Sequence, residues 1–425
     1  MDSLEIQPLQ KPLDAAVQVP GSKSYTNRAL LVAALAEGES VLSGALFSDD
    51  TDYMAQSLRK LGIAVEEDRA AARFVVVGNG GEIPVAEAEL YIGNSGTTSR
   101  SIISCVALGN GFFTIDGDEP MRQSRPIADL LGALQRLGVD ARSRHGNGCL
   151  PVDVRAAGFK GASTELDASK SSQFLTSLML TGPCTDAGLV IDMAGDFKTQ
   201  YIDITMAVMR AFGAEVSHDN YRRFRIPGGQ RYKGRDYAVE PDASNASYFF
   251  AAAALTGGRV RVNDINADSA QGDIRFVDVL ERMGCTVNRA ADGIEVIGPE
   301  KLTGIDIDMK EISDTSLTLA ALAPFAAGPV RIRNIEHSRW QETDRVAAMA
   351  TELRRLGVTV EEHRDGISVE PAVPQPAAVD TYEDHRVAMS FALVGLKVQG
   401  ISINDPGCVS KTFPTYFEVW DQLRG

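Results

Sequence analysis

One repeated pattern limits the folds that this chain can adopt. Five amphipathic segments end in a glycine and continue into a β-like segment: LRKLGIAVEE, LQRLGVDARS, MRAFGAEVSH, LERMGCTVNR and LRRLGVTVEE. Their glycines are Gly62, Gly138, Gly213, Gly284 and Gly357, at intervals of 71 to 76 residues, and the chain ends in DQLRG at Gly425. Each glycine suits the position directly after a helix, where the backbone is left-handed. The sequence therefore predicts six copies of one small α/β unit.

A second feature recurs with the same period, namely small polar residues followed by an apolar run. The six stretches are GSKSYTNRALLVAAL, GNSGTTSRSIISCVAL, ASKSSQFLTSLML, PDASNASYFFAAAAL, ISDTSLTLAALAPFA and EDHRVAMSFALVGL. Apolar runs predict buried helices, whereas the amphipathic segments predict outer helices. Strand-like stretches such as FVVVG and GLVIDM lie between them, so one unit is strand, helix, strand, helix and a strand pair. Buried helices whose polar starts share one end would direct their free N–H groups at one place, which predicts an anion site.

The composition is that of a globular protein with two or three domains, because 425 residues with 44% hydrophobic content exceed one ordinary core. A net charge of −15 argues against a nucleic-acid or membrane-surface partner. The five cysteines are unclustered, and no metal-binding motif is present, so we expect neither disulfides nor a metal site. The N-terminus does not resemble a signal peptide and no long apolar run occurs, so we expect a cytoplasmic protein.

The first helix start, PGSKSYTNRALL, places Lys23 between two serines. Serine and asparagine are typical of helix N-termini, but Lys23 and Arg28 stand at the wrong end of the helix dipole. A bound phosphate would explain both cations. The glycine spacing of a P-loop is absent, so the predicted phosphate site is of another kind.

The other helix starts and three further stretches hold the remaining candidate residues. These are Asn94, Gly96, Thr97, Arg100, Ser171, Ser172, Gln173, Asp242, Asp314, Glu383, Asp384, His385, Arg386, Arg125, Glu342, Arg345 and Lys411. Taken singly, Asp242 and Asp314 are equally well explained as N-caps, and His385 as a structural histidine. Taken together, several cations suit anionic substrates, and a carboxylate among them, such as Glu342 or Asp314, is a usable general acid or base.

These stretches resemble the motifs of the 5-enolpyruvylshikimate-3-phosphate synthases, in the enolpyruvyl transferase family. The similar motifs are PGSKSYTNRALL, GNSGTTSR, RPI, SSQFL, PDASNASYF, QGDIRFVDVLERMG, ETDR, YEDHRVAM and SKTFPTYF, in family order over almost the whole chain. The resemblance implies an α/β (α+β) fold, a two-domain inside-out α/β barrel with six βαβαββ repeats, three per domain. One domain would be residues 21–240 and the other 1–20 plus 241–425, with the active site in the cleft between them.

The resemblance also implies a reaction. The enolpyruvyl group of phosphoenolpyruvate would pass to the 5-hydroxyl of shikimate 3-phosphate with release of phosphate, in a monomer that needs no cofactor, metal, nucleic acid or membrane. Residues implied for shikimate 3-phosphate are Lys23, Ser24, Arg28, Ser171, Ser172, Gln173, Tyr201, Asp314 and Gln341. Residues implied for phosphoenolpyruvate are Lys23, Asn94, Gly96, Arg125, Gln173, Arg345, Arg386 and Lys411. Asp314 would take the hydroxyl proton and Glu342 would handle the methylene proton, with His385 and Lys23 assisting.

The sequence departs from the family pattern in four places. Gln341 stands where most members have lysine, His337 where asparagine is common, and Ser101 where proline is frequent. The usual Ser-x-Pro-Tyr reads KTQY, so Lys198 or Thr199 replaces a serine that contacts the substrate phosphate. Glutamine carries no charge, but most cations and both carboxylates remain, so we expect activity to survive. A further hypothesis is that Ser101 and Gln341 alter binding of glyphosate, which occupies the phosphoenolpyruvate site in this family.

Two alternatives stay open at this point. One is a UDP-N-acetylglucosamine enolpyruvyl transferase, which has the same fold and uses a cysteine on a mobile loop as its acid. None of the five cysteines lies in an evident polar loop beside arginine, whereas GSKS and SSQ favour shikimate 3-phosphate. The other alternative is a binding protein for phosphorylated metabolites, in which the missing lysine at position 341 has abolished turnover.

Overall fold

The computed structural model describes residues 3–423, so Gly425, the predicted sixth glycine, and the outermost residues of the predicted second domain lie outside the described part. The chain forms two compact units. One is Gly21–Glu240, and the other combines the segment up to Pro20 with the segment from Pro241 onwards.

Strands and helices alternate along both units. The strands up to Glu240 are β1 (Ser3–Ile6), β2 (Asp14–Val17), β3 (Glu37–Ser43), β4 (Ala64–Asp68), β5 (Arg73–Asn79), β6 (Glu87–Tyr91), β7 (Asn110–Asp116), β8 (Asp140–Ser143), β9 (Val152–Ala157), β10 (Ser163–Asp167), β11 (Leu189–Ala194), β12 (Ser217–Asp219), β13 (Arg223–Ile226) and β14 (Asp236–Ala238). The helices there are α1 (Lys23–Leu35), α2 (Asp49–Lys60), α3 (Gly96–Val106), α4 (Glu119–Gln123), α5 (Ala128–Arg136), α6 (Gln173–Thr181) and α7 (Gln200–Ala211).

The pattern continues after Pro241. The strands are β15 (Arg259–Asn263), β16 (Thr286–Ala290), β17 (Gly293–Ile297), β18 (Ile305–Asp308), β19 (Val330–Arg333), β20 (Val360–His363), β21 (Gly366–Val369), β22 (Ala378–Val379) and β23 (Ile401–Asn404). The helices are α8 (Ala243–Thr256), α9 (Phe276–Arg282), α10 (Ser316–Leu322), α11 (Arg345–Arg355), α12 (His385–Ala392) and α13 (Tyr416–Gln422). Short 3₁₀ helices at Lys310–Thr315 and Pro406–Lys411 also carry residues discussed below.

The Gly21–Glu240 unit contains three four-stranded sheets among its described residues. Their strand orders are β14-β3-β5-β4, β6-β7-β9-β8 and β10-β11-β13-β12. In each sheet the first two strands are parallel and the later pairs are antiparallel. A parallel pair needs a crossover, and α3 and α6 supply it between β6 and β7 and between β10 and β11. This is the βαβαββ arrangement that the repeat predicted.

The other unit has the orders β2-β15-β17-β16 and β18-β19-β21-β20, together with a three-stranded sheet β22-β23-β1. In the last sheet β1, from the start of the chain, lies antiparallel to β23, so the final repeat has three strands within residues 3–423. The predicted α/β fold class is confirmed, and residues 3–423 contain six small sheets.

Two strands pair with strands that are distant in the sequence rather than with strands next to them along the chain. β2 directly precedes α1, yet it pairs in parallel with β15, Asp14 lying opposite Arg259. β14 directly precedes α8, yet it pairs in parallel with β3, Asp236 lying opposite Val41. Each of these two strands is therefore the first strand of a repeat whose other strands lie far away in the sequence.

Helix burial follows the predicted division. Every residue of α1 from Tyr25 to Leu35 is buried, and α8 is buried from Ala243 to Leu255, whereas α2 buries one face and exposes Lys60. The glycines that follow α2, α5, α7, α9 and α11 have a positive φ, for example 86° at Gly62. Two backbone hydrogen bonds close the end of α2, from Gly62 N to Arg59 O and from Ile63 N to Leu58 O, which is a Schellman motif. Among the described residues no helix has the length and apolar character to cross a membrane.

Candidate active site

A buried network of ionisable side chains and one glutamine lies in the unit that contains Pro241 onwards. We call it the Arg345 cluster, and its members are Asp314, Gln341, Glu342, Arg345, Asp384, Arg386 and Lys411. It holds three carboxylates and three cations, so its formal charges balance. Charges taken out of water persist only when they are paired and hydrogen-bonded, and this balance permits the burial.

Arg345 is the centre of the cluster and is 1% exposed. Its Nε donates to Asp384 Oδ2 at 2.7 Å, and its Nη2 donates to Asp384 Oδ1 at 3.2 Å and Glu342 Oε2 at 2.9 Å. Its Nη1 lies 3.4 Å from Asp314 Oδ1. Burial acts to lower the pKa of Arg345, but the three carboxylates outweigh burial and raise the pKa above its ordinary value. The guanidinium is therefore charged throughout the physiological range.

Asp314 also forms an ion pair with a second arginine, Arg386. Arg386 Nη2 donates to Asp314 Oδ2 at 3.1 Å, and Arg386 Nη1 donates to the Tyr248 hydroxyl at 3.4 Å. Two neighbouring cations favour the ionised form of a carboxylate. Asp314 lies within the 3₁₀ helix Lys310–Thr315, so the alternative that it caps a helix is wrong, whereas Asp242 does cap α8 by accepting from Asn245 N.

Gln341 bridges these groups. Its Oε1 accepts from Arg345 Nη1, and its Nε2 lies 3.4 Å from Asp314 Oδ1. A lysine at this position could donate to Asp314 but could not accept from Arg345. Nearby, His337 Nε2 lies 2.9 Å from Ser313 Oγ, next to Asp314 in sequence. Glutamine therefore fits this position because its side-chain oxygen accepts a hydrogen bond from Arg345.

Helix starts position the cluster. Asp384 caps α12 by accepting from Arg386 N at 2.8 Å, and it is fully buried. Asp344 caps α11, which begins at Arg345. Lys411, at the end of the 3₁₀ helix Pro406–Lys411, lies 3.5 Å from Glu342 Oε1. Since caps fix the first turn of a helix, they fix the side chains that begin it.

A second set of candidate residues lies in the Gly21–Glu240 unit, and we call it the Lys23 group. It comprises Lys23, Ser24, Arg28, Asn94, Gly96, Arg125, Ser171, Ser172, Gln173 and Tyr201. Lys23 begins α1, and its Nζ lies 3.4 Å from Asp50 Oδ2, with 14% of the lysine side chain exposed. The Thr98 hydroxyl donates to the carbonyl oxygen of the same Asp50, which links the starts of α1, α2 and α3.

Arg125 lies against the start of α3. Its Nη1 donates to Asn94 O at 2.9 Å and to Asn94 Oδ1 at 2.7 Å, and the residue is 6% exposed. Gly96 allows this approach, because a Cβ there would lie 2.4 Å from Arg125 Nη2 and 2.9 Å from Arg100 Nη1. Gln173, which begins α6, reaches Thr97 Oγ1 at 3.3 Å. The structure therefore brings Asn94, Gly96 and Arg125 into one contact group.

Arg28 and Tyr201 form a second contact group in this unit. Arg28 is 2% exposed and donates to Ser24 O, Thr205 Oγ1, Thr176 Oγ1 and Tyr201 O. Its guanidinium lies over the Tyr201 ring at 5.9 Å, and Lys198 Nζ lies 5.7 Å from the same ring. Burial lowers the pKa of Arg28 to about 10, so this arginine is still charged at neutral pH.

The family assignment follows from sequence comparison. The family model for EPSP synthase (3-phosphoshikimate 1-carboxyvinyltransferase) matches residues 8–420. The chain belongs to the EPSP synthase family. A 3-phosphoshikimate 1-carboxyvinyltransferase from Nostoc punctiforme is 50% identical over 424 residues, covering 100% of this chain and 99% of the relative.

Solved structures agree with the assignment. An EPSP synthase from Acinetobacter baumannii has a TM-score of 0.84 and 25% identity, covering 100% of this chain and 98% of that one. The enolpyruvyl transferase NikO from Streptomyces tendae has a TM-score of 0.78 at 21% identity, covering 99% and 97%, which supports the fold alone. The predicted resemblance, and the prediction that the chain is a transferase of the EPSP synthase family, are confirmed.

One carboxylate at these sites, Asp50, was not among the candidate residues, and another, Asp384, was a candidate without an assigned role. Asp384 stood in the EDHR run but was not assigned a role, and Asp50 lies in FSDDTDY, a stretch outside the quoted EPSP synthase motifs. A signal for Asp384 was present, because an aspartate ahead of an apolar helix predicts an N-cap beside His385 and Arg386. His385 is fully buried, and its Nδ1 lies 3.6 Å from Asp384 Oδ1.

The surroundings of the cysteines favour neither a reactive thiol nor a metal site among the described residues. Burial raises the pKa of all five cysteine thiols, to about 11 at Cys184 and about 12 at Cys285 and Cys408. None of these thiols is therefore an activated thiolate at neutral pH. Within residues 3–423 no group of three or more His, Cys, Asp or Glu side chains is arranged to hold a metal ion.

Proposed function

We propose that this chain transfers the enolpyruvyl group of phosphoenolpyruvate to the 5-hydroxyl of shikimate 3-phosphate and releases phosphate. The observation that carries the proposal is the Arg345 cluster, in a chain of the EPSP synthase family. Three buried cations beside three carboxylates offer both a binding site for an anion and groups that can exchange protons. The Lys23 group adds Lys23 at the start of α1 and Arg125 beside the start of α3, and backbone N–H groups at helix starts also favour anions.

In this proposal each substrate is bound by its own set of residues, and Gln173 belongs to both sets. Arg345, Arg386 and Lys411 bind phosphoenolpyruvate together with Lys23, Asn94, Gly96 and Arg125. Ser24, Arg28, Ser171, Ser172 and Tyr201 bind shikimate 3-phosphate, as do Asp314 and Gln341, and Gln173 serves both substrates. Arginine suits phosphate and carboxylate because its N–H groups form a planar fork. Both groups then act on one pair of substrates.

Two carboxylates carry the proton transfers. Asp314 accepts the proton of the 5-hydroxyl as its oxygen attacks C2 of phosphoenolpyruvate. Glu342 first takes up a proton from solvent and delivers it to C3, giving a tetrahedral adduct. The adduct then loses phosphate from C2 and returns a proton from C3 to Glu342, which restores the methylene group. Lys23 and His385 assist this exchange. Fixed cations stabilise the negative charge that develops on the substrate, which is usually the largest catalytic contribution.

A phosphate-release assay tests the function directly. Pure, folded protein mixed with shikimate 3-phosphate and phosphoenolpyruvate is expected to release phosphate, and neither substrate alone should do so. Binding of both substrates without release would identify a phospho-metabolite binding protein, and release with UDP-N-acetylglucosamine instead would identify the other transferase. Either result contradicts the proposal.

Matched variants test the two carboxylates. Asp314→Asn and Glu342→Gln are each expected to lower kcat by about 10² to 10⁴, the usual contribution of a general acid or base. Glu336→Gln is the control, because Glu336 pairs with Arg364 at a partly exposed position in the same unit. If kcat falls equally in the control, the loss is not specific to the proton-transfer groups.

Other statements stay predictions. A monomer is expected, and light scattering coupled to size-exclusion chromatography would measure its mass. Cytoplasmic location also stays a prediction, which fractionation of expressing cells would check. The hypothesis for glyphosate is that Ser101→Pro and Gln341→Lys change its inhibition constant, and unchanged inhibition in both variants would contradict it.

A further inference from the structure

The four residues ahead of α12 form a tight turn without glycine. Asp384 N donates to Thr381 O at 2.8 Å, and φ is 55° at Tyr382 and 56° at Glu383. Two successive positive φ values within a hydrogen-bonded turn characterise type I′, which favours glycine, asparagine and aspartate at these positions. Tyrosine and glutamate are unfavourable there, so contacts from outside the turn must hold its conformation.

Glu352 provides such a contact from α11. Its carboxylate is fully buried; Oε1 accepts from the Tyr382 hydroxyl at 2.5 Å and Oε2 accepts from Asp380 N at 3.1 Å. Arg355 Nη1 lies 3.4 Å from Glu352 Oε2 and 2.7 Å from Asp380 Oδ2. Burying a carboxylate is costly unless it is paired and hydrogen-bonded. Here both oxygens accept hydrogen bonds, which hold the two sides of the turn region.

The turn connects this contact to the Arg345 cluster. Arg345 and Glu352 are seven residues apart on α11, which places them on one face of the helix, two turns apart. Arg345 bonds Asp384 at the end of the turn, while Glu352 bonds Tyr382 within it. Asp384 also accepts from Arg386 N. The same face of α11 therefore holds the turn at two points on either side of Glu383.

We propose that Glu352 and Tyr382 are positioning residues for the arginines that bind phosphoenolpyruvate. The proposal rests on the proposed function, because it takes Arg345 and Arg386 as the groups that bind this substrate. Glu352 accepts a hydrogen bond from the Tyr382 hydroxyl, and this bond stabilises the left-handed turn. Because the turn keeps its conformation, Asp384 stays in place and orients Arg345 and the first turn of α12. Neither Glu352 nor Tyr382 contacts substrate in this proposal.

The first test is Tyr382→Phe, which removes one hydrogen bond at a position that is 39% exposed. The KM for phosphoenolpyruvate is expected to rise about five- to tenfold, less than the full loss of a hydrogen bond to a charged group, because Tyr382 acts on the arginines only through the turn. The KM for shikimate 3-phosphate should stay within about twofold of the wild-type value. Tyr221→Phe is the matched control, because the Tyr221 hydroxyl donates to Asp203 Oδ1 at 2.7 Å in the other unit. Its KM values should not change.

Two further variants separate positioning from general stability. Glu352→Gln should reproduce the selective rise in the phosphoenolpyruvate KM. Adding Glu383→Asn to Tyr382→Phe should lower that KM again, because asparagine adopts left-handed backbone more readily than glutamate. A merely structural role would lower the unfolding midpoint without a selective KM effect and would not be rescued by asparagine.

Hydrogen exchange gives a readout that does not need turnover. The amides of Asp384 and Arg386 are both hydrogen-bonded at the turn, so Tyr382→Phe should speed their exchange by about tenfold. Wild-type protein that releases no phosphate would refute the proposed function, whereas the exchange rates would still decide whether Tyr382 holds the turn. Unchanged exchange, or unchanged KM in an active Tyr382→Phe protein, overturns the positioning role.

Discussion

Replacing Asp384 by asparagine tests whether the Arg345 cluster depends on charge balance. Asparagine has almost the same size and is as good an N-cap as aspartate, so α12 keeps its start. The change leaves two carboxylates for the three cations Arg345, Arg386 and Lys411. It also places an amide where Arg345 Nε and Nη2 donate at 2.7 and 3.2 Å.

The size of the effect follows from burial. Arg345 and Asp384 are 1% and 0% exposed, and removing one partner of a buried pair costs about 3 to 5 kcal/mol because the other charge stays buried. In a protein region of about 200 residues, 1 kcal/mol shifts the unfolding midpoint by about 2 to 4 °C. The expected fall is therefore about 6 to 20 °C. The KM for phosphoenolpyruvate should rise as well, since Arg345 loses its orientation.

Scanning calorimetry and the phosphate-release assay measure both effects. The control is Asp306→Asn, which removes one partner from an exposed pair, Arg333 Nε to Asp306 Oδ1 at 2.5 Å with side chains 38% and 56% exposed. Exposed pairs contribute about 0 to 1 kcal/mol, so its midpoint should fall by no more than about 4 °C. The reasoning is refuted if Asp384→Asn and Asp306→Asn lower the midpoint equally.

Three further substitutions test individual contacts. Gln341→Lys adds a cation beside Asp314 and should lower the KM for shikimate 3-phosphate about two- to fivefold at low salt, with a smaller effect at high salt; an unchanged KM at low salt would contradict this. Gly96→Ala forces Arg125 away from a Cβ that would lie 2.4 Å from its Nη2, so the KM for phosphoenolpyruvate should rise while the unfolding midpoint stays within a few degrees. Lys198→Ser removes a cation near the Tyr201 ring and should raise the KM for shikimate 3-phosphate about tenfold; a selective effect on phosphoenolpyruvate instead would count against the assigned role.

Much of the candidate site could be predicted because its residues begin helices. A helix start is a local property, since small polar residues, caps and the following apolar run are all adjacent in sequence. Lys23, Gln173, Arg345 and His385 each stand at the first position of a helix. Their positions could therefore be read before any contact was known.

The partners of these residues could not be predicted in the same way. Asp384 pairs with Arg345, which is 39 residues away in the sequence. Asp314 pairs with Arg386, which is 72 residues away. Such pairs depend on how helices pack, and no local rule relates their spacing to contact. The left-handed turn at Tyr382 and Glu383 is the clearest case, because neither residue favours that backbone and only the contact with Glu352 explains it.

The sequence by itself determined the six-fold repeat, the division into buried and outer helices, and the helix ends at Gly62 and its counterparts. These features follow from hydrophobic periodicity and backbone preference, which act over a few residues. Only the tertiary structure decided that β2 pairs with β15 and β14 with β3, and that three carboxylates balance three cations around Arg345. Strand partners and buried charge pairs are chosen by packing and desolvation of the whole unit, because their energies arise only when distant segments meet.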